Sequence, residues 1–286
     1  MLAKTTICAL AAAVIVALMT STSEAHSWID CTDWRITNKK TPWAANSGHC
    51  VAWGRQFPMK TDKKTGKQTV TAPFGKLDSA DPNRHYQQNP KDFTSCSDRK
   101  HGIEPGADES RKNPITSSYG NKFGVMASAT PGQEICLRWP AKNHAVSSET
   151  KMAHRSFVFW DPKPVTAGTK DPTEKQFYGK NSDAYTKANN GGQPQMDGNP
   201  YFIKEIPYND CSVIKGNTDL TPCGGCFNVP KTAKAGSIYM FHWRWQLNPN
   251  EYYTSCWDIK ITKPATSSSK LVAGSNSTVF SDLESF

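Results

Sequence analysis

The stretch SIYMFHWRWQ at 237–246 decides the fold class: Tyr239, Phe241, Trp243 and Trp245 recur at every second position, so a β-strand sets all four on one face. Three segments outward from it read the same way. CWDIKIT at 256–262 places Trp257, Ile259 and Ile261 on one face, and EICLRW at 134–139 does the same with Ile135, Leu137 and Trp139. SFVFW at 156–160 is β-branched and aromatic, the composition of a buried strand. No comparable helical stripe appears. Between these segments lie long stretches rich in Gly, Pro, Asn, Asp and Ser, notably 89–114 and about 161–200. Strands joined by such loops predict two packed β-sheets whose edges the loops decorate.

The N-terminus reads as a leader. MLAKTTICALAAAVIVALMTSTSEA carries Lys4, an apolar run from Ile7 to Met19, a polar stretch and a small residue at Ala25, the layout of a cleaved signal peptide over 1–25. The run is shorter than the roughly 20 residues of a membrane-spanning helix. A secreted, extracellular, monomeric protein without a membrane segment is expected. Of nine cysteines, Cys8 leaves with the leader, and Cys31, Cys50, Cys96, Cys136, Cys211, Cys223, Cys226 and Cys256 remain, an even set that reads as disulfides. Cys223 and Cys226 in TPCGGCFNVP have the spacing of a zinc knuckle or redox pair. No second CxxC accompanies them, and the glycines between turn-forming flanks favour a loop held by structural disulfides. The fold class is therefore all-β: an immunoglobulin/fibronectin-III-like two-sheet sandwich with long disulfide-stapled loops, occupying 26–264. From 265 to 286 the chain is Ser-rich and predicts a flexible tail, with an Asn276-Ser277-Thr278 glycosylation sequence and no lipid-anchor signal.

Lys and Arg number 34 against 25 Asp and Glu, a net charge of +9. MKTDKKTGKQT at 59–69 and SDRKHG at 97–102 hold several of these cations, in stretches that read as solvated loop tips. The overall bias favours an anionic partner. An exported chain without a nucleic-acid-binding motif leaves acidic polysaccharide or a cell-wall surface.

Cleavage after Ala25 makes His26 the first residue, where the α-amine and the ring offer two nitrogens to one metal ion. A second imidazole completes a three-nitrogen T-shape suited to Cu(II). His144, just past the 134–139 strand, and His154, just before the 156–160 strand, both qualify. His49 and His101 lie in turn-rich loops and His242 inside a strand. Tyr253, three residues before Cys256, can stand over an axial position, and Glu251, on the same side of an extended chain, can hydrogen-bond to an oxygen species beside the metal.

Together, the post-signal His26, WPAKNHA at 139–145 and EYYTSCWDI at 251–259 resemble the lytic polysaccharide monooxygenases, and YMFHWRWQLN resembles the aromatic strand that precedes the last segment there. The HSW start, the cysteines, the basic charge and the Ser-rich tail look most like auxiliary-activity family seventeen, the pectin-cleaving oomycete enzymes. The resemblance implies a histidine brace of His26 and His144 around one copper ion, with Tyr253 axial and Glu251 positioning oxygen. It also implies an external electron donor, H2O2 or O2 as co-substrate, and pectin as substrate. A non-catalytic copper-binding protein using the same brace is the alternative; Tyr253 in place of an acidic ligand and the unanchored tail weigh against it.

Overall fold

The computed structural model describes residues 27–76, 85–88, 95–96, 109–141, 156–173, 176–177, 198–206, 220–248 and 251–264, with side chains described except at 85–88, 246–248 and 251–252. The leader at 1–25, His26, His101, His144, His154, the basic stretch at 97–102, Cys211 and the tail at 265–286 lie outside the described residues.

The strands run β1 (Asp33–Ile36), β2 (Gly48–Ala52), β3 (Met59–Thr61), β4 (Gln68–Val70), β5 (His85–Gln88), β6 (Ala127–Ala129), β7 (Glu134–Pro140), β8 (Ser156–Trp160), β9 (Phe202–Ile206), β10 (Pro222–Asn228), β11 (Ile238–Asn248) and β12 (Glu251–Ile261). Helical backbone among the described residues is confined to the 3-10 turn Ile115–Ser118 and to Gln176 and Phe177. None of it is long and apolar enough to cross a membrane. One sheet has the antiparallel order β5-β12-β11-β8-β9, with β6 added in parallel to the far end of β12. The facing layer pairs β7 with β10 and continues through the Cys31–Arg138 bridge into the β1–β2 ribbon.

This is the immunoglobulin-like sandwich that the period-two patterns predict. Tyr239, Phe241, Trp243 and Trp245 of β11, Trp257, Ile259 and Ile261 of β12, and Ile135, Leu137 and Trp139 of β7 all enter one core cluster. Rings meet across the layers, Trp139 against Trp243 at 5.4 Å and Phe227 of β10 against Phe241 at 5.7 Å. Burial of such side chains, at about 1.5–3 kcal/mol each, is the main force joining the layers.

The other face of the large sheet is buried as well. Phe157, Phe159, Met240, His242, Arg244, Thr254, Cys256 and Asp258 are all at most 2% exposed. The long loops do more than decorate the edges, because parts of them cover this face. Cys96 is disulfide-bonded to Cys256, Glu109 Oε2 accepts from the Cys256 N–H at 2.7 Å, and Phe177 stacks on His242 at 4.9 Å. The polar groups on β11 and β12 explain the cover: buried donors and acceptors require partners, which a purely apolar layer does not supply.

The strongest of these pairings centres on Arg55. Its Nε and Nη2 donate to the two Asp258 carboxylate oxygens at 2.7 and 2.8 Å, and Nη1 donates to Asp171 at 2.9 Å. Tyr119 Oη adds a 2.7 Å hydrogen bond to Asp258, and Arg111 Nε one of 3.0 Å to Asp171. Burial alone would lower the Arg55 pKa, but the two carboxylates outweigh it and hold the guanidinium above its ordinary value.

Three local expectations change. TPCGGC is not a loop: Cys223 and Cys226 lie in β10, and both are disulfide-bonded, Cys226 to Cys136 and Cys223 in a separate bridge. Its glycines serve packing, since a Cβ on Gly224 would collide with the Trp43 ring and one on Gly225 with Ile206. The 59–69 stretch is a hairpin, β3 against β4, whose turn is closed by Asp62 Oδ1 accepting from the Lys64 and Thr65 N–H groups at 2.9 and 2.8 Å. His49 sits on β2 rather than in a loop, though it is exposed.

Replacing Arg55 with Met leaves Asp258 buried without its counter-ion and is expected to remove about 3–5 kcal/mol of stability in urea denaturation. A loss under about 1 kcal/mol, the size of an exposed ion pair, would contradict this reading.

Candidate metal centre

The chain immediately after the expected cleavage point is built into the sandwich. Ser27, Trp28 and Ile29 are fully buried. Ser27 Oγ donates to the Pro140 carbonyl at the end of β7, and the Ile29 N–H donates to Ser255 Oγ on β12 at 3.0 Å. The N–H groups of Asp30 and Cys31 both donate to the Arg138 carbonyl, at 2.9 and 3.1 Å. Trp28 packs with Phe57 and Met59, and its Nε1 donates to Asp30 at 3.1 Å. Residues 27–31 therefore tie the two layers together at one end, with the start of the segment against the end of β7.

The described segments that adjoin the predicted donors in sequence reach this end. His26 is the residue before Ser27. β7 finishes at Pro140, and Ala141, fully buried, donates its N–H to Thr221 O at 2.8 Å; His144 follows three residues later. The chain re-enters at Ser156, which pairs with Trp245; Trp245 pairs on its other side with Tyr253. His154 lies two residues before Ser156, so the bordering elements serve both candidates for the second imidazole equally.

Tyr253 is itself described. The last strand starts at Glu251, earlier than the Cys256 where its clear alternation begins, which places Tyr253 in β12 between Trp245 and Tyr86 of β5. It is 3% exposed and belongs to the main core cluster, on the face that carries Ser255 and Trp257. Glu251 is seen in backbone only, paired with Asn248 and Gln88. β7 is held beside the site by Arg138, whose guanidinium lies 4.5 Å from the Trp34 ring centre and 3.7 Å from that of Phe74. Burial lowers the Arg138 pKa to about 10, partly countered by Asp30.

Two other donor clusters occur among the described residues, Cys96 with His242 and Cys256, and Glu134 with Cys136 and Cys226. Disulfides occupy the sulfurs in both, which removes the thiolates a metal would need. His242 is a core side chain lying against Phe177 and Phe159.

No family model and no curated protein matches the chain. Among solved structures it is similar to an AA10 lytic polysaccharide monooxygenase from Streptomyces lividans, at 14% identity over 62% of this chain and 81% of that one, with a TM-score of 0.34. It is also similar to a polysaccharide monooxygenase CBM33 determined in a study of X-ray photoreduction, at 10% identity over 62% of this chain and 79% of that one, with a TM-score of 0.31. Overlap at this level assigns neither donors nor substrate.

Sequence reasoning missed the residues that anchor the site: Ser27, Trp28, Ile29 and Ser255. One signal was present, since Trp28 and Ile29, two large apolar residues, closely follow the expected cleavage point. Ser255 carries none, being a small polar residue in a strand. Ser255→Ala leaves the buried Ile29 N–H without its acceptor and is expected to cost about 1–3 kcal/mol. Ser255→Thr keeps the hydroxyl and should recover most of the loss; equal stability of Ser255→Ala and the parent in thermal denaturation would contradict the anchoring role.

Proposed function

We propose that this is a secreted copper-dependent lytic polysaccharide monooxygenase, that residues 26–264 form its catalytic domain after loss of 1–25, and that its substrate is pectin. The observation that carries the reading is the junction at one end of the sandwich. Ser27 is hydrogen-bonded to Pro140, and Ile29 to Ser255, so the segment that follows His26, the end of the strand that precedes His144 and the strand of Tyr253 border one another.

In this reading the His26 α-amine and ring, with the His144 ring, hold one copper ion. That donor set suits copper: neutral nitrogen ligands in a tetragonal arrangement. Bound copper supplies one-electron chemistry with O2 or H2O2, using electrons from an external donor. The buried phenol of Tyr253 would shield a bound ion from water and from further ligands. Glu251 lies one alternation before Tyr253 on β12 and supplies a carboxylate that orients the oxygen co-substrate by hydrogen bonding. The burial of residues 27–29 fixes the segment directly after His26, which would keep a His26 α-amine off a mobile terminus. The excess of cations draws the polyanionic galacturonan chain to the protein.

The test is a copper titration of protein whose first residue is His26, followed by mass spectrometry of homogalacturonan incubated with it and ascorbate. One tightly bound copper and oxidised oligogalacturonides are expected. A short extension left ahead of His26 should abolish both. Tight copper binding without oxidised products from any polysaccharide would overturn the enzymatic reading in favour of a copper carrier.

A further inference from the structure

We propose that the β3–β4 hairpin and the cleft beside it form the surface that binds a carboxylated sugar chain and sets the preference for it, an inference that rests on the polysaccharide-directed reading above. Lys60, Lys63, Lys64 and Lys67 are all exposed along this hairpin. None of them has an ion-pair partner among the described residues. The one acid among them, Asp62, uses its Oδ1 to close the turn, accepting from Lys64 N, Thr65 N and Thr65 Oγ1. The ordered ribbon therefore keeps a net positive charge, four lysines against one aspartate.

The hairpin is fixed to a second segment. Gln68 Nε2 donates to the carbonyls of Asn121 and Phe123 at 2.7 and 2.9 Å, and Thr61 Oγ1 donates to Asn121 O at 2.9 Å. These contacts bring Lys122 to the same surface, with its ammonium 5.1 Å from the Phe123 ring centre. Alongside lies a cleft of about 520 Å³ that includes Thr116, Ser117, Asn121, Lys122 and Phe123. Hydroxyl, amide and aromatic groups next to a row of ammonium groups match a sugar chain whose units each carry hydroxyls and a carboxylate. Lysine ammonium groups act as mobile point charges, which suits a flexible polyanion better than a single rigid ligand.

The surface also connects to the candidate metal centre. Met59, at the base of the hairpin, packs with Trp28, two residues beyond His26, and Phe74, just after the hairpin, stacks on Arg138 beside the N-terminal segment. A chain held on the hairpin is thus anchored to the same framework that positions the start of the mature protein.

The test compares the parent with the variant Lys60→Gln, Lys63→Gln, Lys64→Gln, Lys67→Gln and Lys122→Gln, measuring binding to polygalacturonate and to its fully methyl-esterified form at low and high salt. The variant is expected to bind polygalacturonate about tenfold more weakly or worse at low salt, with a flatter salt dependence, because exposed charges act through a screened attraction. Binding to the esterified chain and copper affinity should not change. Unaltered polygalacturonate binding would overturn the proposal, as would equally tight binding of the parent to duplex DNA. Binding requires no metal, so absence of copper uptake in the parent would reject the enzymatic reading while leaving the hairpin result to be judged alone.

Discussion

The carboxylate of Asp258 is fully buried in the middle of a β-strand, and the Arg55 guanidinium that meets it is buried too. Two charges removed from water at that depth are tolerable only when their remaining donors and acceptors are satisfied. Tyr119 and Asp171 meet that condition, and Arg111 in turn satisfies Asp171. The requirement draws segments near residues 55, 109–119 and 171 against one face of the sheet. It acts together with the Cys96–Cys256 disulfide and the Phe177–His242 stacking to close the loops over β11 and β12.

β12 uses its two faces for different tasks, a direct result of the two-residue period of a strand. Thr254, Cys256 and Asp258 point to the polar layer, where they meet Ser95, Cys96 and Arg55. Tyr253, Ser255 and Trp257 point to the main core, where Ser255 receives the Ile29 N–H. The Arg55 network therefore fixes, through one rigid element, the strand against which the N-terminal segment is seated. A functional centre carried by a strand buried on both faces is more precisely held than one carried by a loop.

How much of this was legible in the sequence follows from the range of each interaction. Alternation is local, so the runs around Trp243, Trp257, Leu137 and Phe159 gave the strands, and the inward face was correct in each run where one was assigned. The hairpin at 59–70 was hidden because the residues between Met59 and Val70 are polar on both faces and only the Asp62 turn marks it. β10 was hidden because Gly224 and Gly225 look like a turn when the Trp43 and Ile206 side chains that require them are not seen. The Arg55–Asp258 pair is separated by more than two hundred residues, and nothing in GRQF or CWDI points from one to the other. Of the candidate site, Tyr253 was placed in the right strand. His26, His144 and His154 are known only through the segments that adjoin them.

The most direct measurement of the central claim is electron paramagnetic resonance of the protein beginning at His26, loaded with one equivalent of Cu(II), beside its His144→Ala and His154→Ala variants. The account predicts a tetragonal spectrum with three nitrogen donors. One of those donors should disappear in His144→Ala, with no change in His154→Ala. A spectrum unaltered by His144→Ala would contradict the account, because the second imidazole would then come from another histidine.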